Sequence, residues 1–248
     1  MSKLMKYEFR KTLVVKLVLL GATALAEITF LIGLWGNKND TTGTGALLLA
    51  LLAFGGCMVI GLASVVILHR DMNTKQSYML FMTPNSSYRI LGAKLLENGL
   101  SIILTGACFF ALGALDISLL FAHEGRLAEL WDTVTRILNT MDKRLTFDLG
   151  TMASLTANLL ASWISTITAA YLGVVISTAL LNGRRLSGLV SFLLIVALLW
   201  LVSWIDRTVT ASIASIQTTL WVGTGIALVC SVIMYILTAN IMDRKLSV

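Results

Sequence analysis

Residues 46–68 read ALLLALLAFGGCMVIGLASVVIL, twenty-three positions without an acidic or basic side chain. At about 1.5 Å per residue a helix of that length rises about 35 Å, enough to cross a hydrocarbon core about 30 Å thick. Further uncharged runs occupy 98–115, 149–181, 186–205 and 208–242, and residues 13–35 form an apolar run interrupted only by Lys16 and Glu27. Six crossings follow. The run 149–181 would make a helix roughly 50 Å long, so that span must tilt, protrude or begin outside the membrane. The run 208–242 divides by composition: Thr208 to Thr219 is rich in Thr, Ser and Ala and reads as an interfacial turn or short helix, while Leu220 to Ile241 is apolar. The expected spans are therefore about 13–35, 46–68, 95–120, 149–181, 186–206 and 218–241. A β-barrel would need segments of about ten residues alternating in polarity, and none alternates that way.

The composition agrees. Of 248 residues 57% are hydrophobic and 13% charged, with a single proline, against about 25% charged in a soluble domain, which excludes one water-soluble core. The formal charge of +6 does not point to nucleic acid, because the basic residues form no single stripe interleaved with aromatics. They sort by membrane face instead. Twelve fall on the side holding both termini (Lys3, Lys6, Arg10, Lys11, Arg70, Lys75, Arg89, Lys94, Arg184, Arg185, Arg244, Lys245), and six on the other (Lys38, Arg126, Arg136, Lys143, Arg144, Arg207). Lys/Arg bias in short loops marks the cytoplasm, so both termini are expected there. Ala24-Leu25-Ala26 imitates a secretory cleavage site, but Lys16 interrupts the apolar region and the run continues to Trp35, so the segment reads as a retained anchor. Ahead of it, Met1, Leu4, Met5, Phe9 and Leu13 share one helical face and Lys3, Lys6 and Arg10 another, the pattern of an interfacial helix.

The connection 69–94 places Tyr78, Leu80, Phe81 and Met82 in a water-facing segment, where something must cover them. Pro84 disfavours helix at Thr83 and suits a first turn, so a short helix should end near Met82 and a second begin near Asn85 or Ser86. Gly92, Gly99, Gly106 and Gly113 recur every seven residues on nearly one face, a small-residue packing surface. Leu127, Leu130, Trp131, Val134, Ile137, Leu138 and Met141 repeat at helical spacing against Glu124, Arg126, Glu129, Asp132, Arg136 and Asp142, predicting an amphipathic outer helix over 124–142. Glu27 is the charge to explain, since a carboxylate near mid-membrane marks either a substrate pathway or a buried polar contact.

Catalytic patterns are missing from the sequence. His69 and His123 fall on opposite sides in this topology and neither belongs to H-E-x-x-H; no G-x-S-x-G occurs. Cys57, Cys108 and Cys230 lie in different spans without ligand spacing, and read as packing residues. No metal site is expected. The chain lacks G-x-x-x-x-G-K-[ST], so it is not expected to be an enzyme, and any ATP it uses must be bound by another polypeptide.

The order of these features resembles the six-helix permease subunit of ATP-binding-cassette exporters, the type 2 permease family that includes many bacterial peptide, antibiotic and lipid exporters. The likeness rests on Met1-Ser-Lys-Leu-Met-Lys-Tyr-Glu-Phe-Arg-Lys11, on Tyr78-Met-Leu-Phe-Met-Thr-Pro84 and on Tyr88-Arg-Ile-Leu-Gly-Ala-Lys94. What it implies is a single permease domain over 1–248: an all-α integral membrane protein of six transmembrane helices, with an N-terminal interfacial helix, a cytoplasmic coupling helix and an outer amphipathic helix. The coupling helix, centred on 72–84, would seat Tyr78, Phe81, Met82, Thr83 and Pro84 in a groove of a nucleotide-binding ATPase subunit that holds ATP and Mg²⁺. Arg89 and Lys94 would lie near the membrane surface or that partner's acidic rim. A second permease copy, identical or related, would complete the route through a bacterial cell membrane, with Glu27 as a lining residue and an amphiphilic peptide, drug or lipid-like molecule as substrate. The segment 124–142 has no counterpart in that family. Two other readings stay open: a non-transporting sensor or immunity protein that binds a peptide through its outer helix, and a stand-alone secondary transporter or channel.

Overall fold

A computed structural model describes residues 2–73, 86–123, 125, 132, 149–181, 187–213 and 215–245. Six helices account for nearly all of them: α1 (Ser2–Trp35), α2 (Asn39–Asn73), α3 (Ser87–His123), α4 (Leu149–Leu181), α5 (Ser187–Thr210) and α6 (Ile216–Lys245). Each is long and apolar enough to cross a membrane, and no strand occurs among the described residues. The protein is a multi-pass, all-α membrane protein by the length and composition of its helices. Large apolar side chains such as Phe54, Phe110 and Trp200 are exposed, as suits a surface solvated by lipid.

Packing divides the chain into two compact units where the sequence suggests one domain. The first comprises Met1–Phe9, Ala63–Gly99 and Asp148–Val248, the second Arg10–Leu62 and Leu100–Phe147. In the first, α4 lies along α6 and α5. Its most apolar stretch is 61% buried, against 6% for the corresponding stretch of α5, which makes α4 the inner helix of the group. Small residues permit that position. Gly173 lets Ile195 and the backbone of Ser191 approach to where a side chain would stand, and Ala161, Ala169 and Ala170 are buried. The hydroxyls of the buried Thr168 and Thr178 donate to carbonyls of their own helix, which removes the penalty of placing them in an apolar interior. Leu68, Met72, Leu91, Tyr171, Val174, Val175 and Met242 form the adjoining core.

The second unit is organised by the α1–α2 hairpin. Asn37 takes a positive φ of 51°, Lys38 N–H donates to the Gly33 carbonyl at 3.0 Å and Asn37 N–H to that of Leu34 at 3.4 Å. That is the Schellman arrangement, and it satisfies the last carbonyls of α1 while turning the chain. The two backbones then touch: a Cβ built on Gly33 would sit 2.3 Å from Thr42 N, and one on Gly45 2.6 Å from Phe30 Cα. Ala26, Phe30, Leu34 and Leu49 make the core beside this crossing.

Two expectations meet a different outcome here. The N-terminal segment is not a helix of its own, because α1 runs unbroken from Ser2 to Trp35; nothing between Ser2 and Leu20 is Gly or Pro. Thr208 to Thr210 continue α5, the turn falls at 211–213, and α6 begins at Ile216. Cys57 and Cys230 are half-buried free thiols, and Cys108 is an exposed one.

Candidate functional site

Two polar constellations are built into these helices, one in each unit. In the second unit the carboxyl of Glu27 on α1 lies beside that of Asp116 on α3. Glu27 Oε2 and Asp116 Oδ1 are buried without a hydrogen-bond partner. Each such oxygen costs about 1–3 kcal/mol in an apolar interior, which a packing role alone would not require. Asp116 also lines a cavity of about 390 Å³, the size of a small-molecule site. Its other walls are apolar, among them Phe30, Leu49, Phe109 and Leu112. An apolar chamber with one acid at its wall can receive a molecule that is mostly hydrocarbon and carries a polar or cationic group.

In the first unit Lys94 of α3 is 2% exposed and lies between two carboxylates. Its Nζ donates to Glu8 Oε2 and to Asp71 Oδ2, both at 2.7 Å. Glu8 belongs to α1 and Asp71 to the end of α2, so one ammonium joins three helices. Glu97 and Asn98 are buried one turn farther along α3, and Asn98 Oδ1 accepts from Trp163 Nε1 at 3.3 Å. The start of α3 is also tied to α6. Ser87 donates to Asp243, Tyr88 Oη to Asn240 Oδ1 at 3.2 Å, and Tyr235 Oη to the Tyr88 carbonyl at 2.5 Å, with the two rings edge to face. Tyr171 and Ser64 share a buried hydrogen bond between α4 and α2.

The residues singled out in the sequence fall unevenly on this structure. Tyr78, Phe81, Met82, Thr83 and Pro84 lie outside the described residues, as does the outer helix over 124–142 apart from Gly125 and Asp132. Arg89 is exposed on the first turn of α3. Lys94 is held inside the chain by Glu8 and Asp71, so its ammonium does not face outward toward a partner's acidic rim. Gly92 is half-buried at the start of α3, while a Cβ on Gly99, Gly106 or Gly113 would meet nothing within 4 Å. Among the described residues, then, no helix of this chain uses the last three as a close-packing face. The close approaches are made at Gly33, Gly45 and Gly173.

Asp116, Glu8 and Asp71 are functional candidates that the sequence pattern did not single out. One signal was present for Asp116: it stands seven residues before the end of α3, as Glu27 stands eight before the end of α1. Glu8 was hidden among lysines and arginines. No cluster of three or more His, Cys, Asp or Glu able to hold a metal occurs among the described residues. No family model, curated protein or solved structure matches the chain.

Proposed function

We propose that this protein is the membrane permease subunit of an ATP-driven exporter, carrying an amphiphilic peptide, drug or lipid-like molecule. ATP and Mg²⁺ would reside in a separate ATPase subunit. The observation that carries the reading is that the same two helices are joined in two places by buried charged or acidic groups. Glu8 and Lys94 join α1 to α3 in one place, Glu27 and Asp116 in the other. The lysine cluster flanks the connection 74–86, with Asp71 just before it and Lys94 just after. A partner pressing on that connection would act on three helices that one ammonium holds together, and packed helices pass on small shifts that loosely packed ones absorb.

In this reading both termini are cytoplasmic, the membrane is a bacterial cell membrane, and Tyr78, Phe81, Met82, Thr83 and Pro84, flanked by Arg89, face the ATPase. The glycine face of α3 at Gly99 and Gly106 is available to a second permease copy, identical or related, while Gly113 borders the chamber beside Asp116, and lipid covers the remaining apolar surface.

Co-purification tests the proposal. The full chain, isolated from its native membrane, should bring a soluble protein with a phosphate-binding loop, and Phe81→Asp with Met82→Asp should abolish both its retention and the ATPase activity. A preparation free of any ATPase, or a cysteine at position 81 that reacts with an impermeant reagent from outside intact cells, would overturn it. The first result would favour the sensor reading.

A further inference from the structure

A second cavity, of about 320 Å³, lies wholly within the first unit between α4, α5 and α6. Six of its eleven lining residues are polar: Asn158, Ser162, Ser165 and Thr166 on α4, and Ser203 and Asp206 on α5. Two of their atoms are buried with no hydrogen-bond partner, Ser165 Oγ and Asp206 Oδ1, and Ser165 is only 3% exposed. This is unlike the neighbouring threonines of α4, whose hydroxyls close onto their own helix. An unpaired buried hydroxyl at a cavity wall asks for a ligand or a bound water.

The chemistry of the wall narrows what that ligand is. Thr166 donates to the Ser162 carbonyl at 2.8 Å and Asn158 Nδ2 to the Leu220 carbonyl at 3.2 Å, so both spend a donor inside the protein and keep oxygen acceptors. Asp206 adds a carboxylate, and no Lys or Arg lines the space. Gly223 keeps it open: a Cβ there would stand 3.0 Å from Asn158 Nδ2 and 3.1 Å from Asp206 Oδ1. The wall is thus rich in acceptors and carries one uncompensated negative group, which calls for a cation with several N–H donors. The volume is about ten times the share of one water in the liquid, too large for a bare ion. Leu199, Val202, Ile226 and Ala227 supply an apolar continuation. From Asn158 to Thr166 the wall of α4 rises about 12 Å, room for a short hydrocarbon chain.

We infer that this cavity binds a protonated primary amine carried on an apolar tail, with Asp206 as counter-charge and Ser165 and Asn158 as hydrogen-bond acceptors. The amine can come from an aminophospholipid headgroup or from a free amphiphilic amine. The inference does not depend on ATP-driven transport, since it concerns binding by this chain alone.

The test uses the full chain in phosphatidylcholine nanodiscs, with thermal unfolding followed by tryptophan fluorescence while dodecylamine is added. The expected result is a saturable rise in midpoint. Dodecyltrimethylammonium, which has charge and tail but no N–H, should act about tenfold more weakly, the ratio given by about 1.4 kcal/mol of lost hydrogen bonding. In an Asp116→Asn background, which removes the acid from the wall of the other chamber, Asp206→Asn should abolish the response and Ser165→Ala weaken it. Should Asp206→Asn fail to fold, Gly223→Leu fills the cavity with the carboxylate in place and must also abolish it. Nanodiscs containing phosphatidylethanolamine separate the sources: suppression of the dodecylamine response identifies the lipid as occupant, an unaltered response the free amine, and both support the site. Equal responses to the primary and quaternary amines, or an undiminished response in Asp206→Asn or Gly223→Leu, would overturn it.

Discussion

Replacing Lys94 with Met removes a buried ammonium from between two acids that it holds. Both contacts are 2.7 Å, and the side chains of all three residues are at most 5% exposed. At an effective dielectric of about 20 each pair is worth about 6 kcal/mol of Coulomb attraction, from which the desolvation of three groups must be subtracted. What the substitution leaves is the expensive half of that balance. Glu8 Oε2 and Asp71 Oδ2, each 2.7 Å from the same nitrogen, are no more than 5.4 Å apart and would face one another without it. Breaking a buried pair in this way costs about 3–5 kcal/mol, and for a chain of this size that lowers the melting midpoint by roughly 6–20 °C. Glu8→Gln and Asp71→Asn should each cost less, because Lys94 keeps its other carboxylate and the new amide oxygen can still accept. The triple variant Glu8→Gln, Asp71→Asn, Lys94→Met removes the ammonium and both carboxylates that it pairs with, and should recover most of the loss. Thermal unfolding of the purified chain in detergent measures all four. A Lys94→Met midpoint within about 2 °C of the parent, or a triple variant no more stable than Lys94→Met, would refute the assignment of this network as a charge-balanced clamp.

Further outcomes follow from the same geometry. Gly45→Ala forces a methyl to within 2.6 Å of Phe30 Cα and should destabilise the α1–α2 hairpin by about 1–3 kcal/mol, whereas Gly99→Ala meets nothing and should be neutral or stabilising by up to about 1 kcal/mol, both read by thermal unfolding. Glu27→Gln supplies an amide that can donate to Asp116 and should leave folding intact while reducing export of the substrate in intact cells; unchanged export would remove Glu27 and Asp116 from the pathway. Tyr171→Phe deletes the hydroxyl bonded to Ser64 and should cost about 1–3 kcal/mol, since Ser64 Oγ is then left buried without its partner.

The helices were legible because lipid imposes a length rule that uncharged runs obey, and the run 46–68 announces its helix from composition alone. Their ends were less so. The run of Thr, Ser and Ala at 208–219 hides the boundary between α5 and α6, since those residues suit a helix whose hydroxyls bond backward as well as a turn. Glu27 stood out because it interrupts an apolar run. Asp116 did not, because it closes one and falls near the end of the expected span 95–120. Lys94 was read as a charge near the membrane surface and Glu8 was given no role, since periodicity reports only which face of a helix a residue occupies and their pairing is a tertiary fact. The glycine spacing along α3 was plain in the sequence, yet what lies against a glycine depends on a second helix that spacing does not name.

A carboxylate inside an apolar helical assembly is tolerated when it pairs with a base, and this chain places acids on the same two helices both with and without that partner. The two arrangements differ in what they leave over. Around Lys94 each carboxylate meets the ammonium at hydrogen-bonding distance, a geometry whose removal is costly and which gains nothing from an added ligand. At Glu27 and Asp116 two buried oxygens remain bare beside a chamber large enough for a guest. Folding alone would favour Leu or Gln there over two acids, because an apolar or fully satisfied replacement avoids the desolvation of the bare oxygens. The incomplete pair is therefore the place to look for chemistry and the complete one the place to look for mechanical strength. That division predicts opposite signatures: variants at Lys94 should lose stability first and activity as a consequence, whereas variants at Glu27 or Asp116 should lose activity while the fold holds.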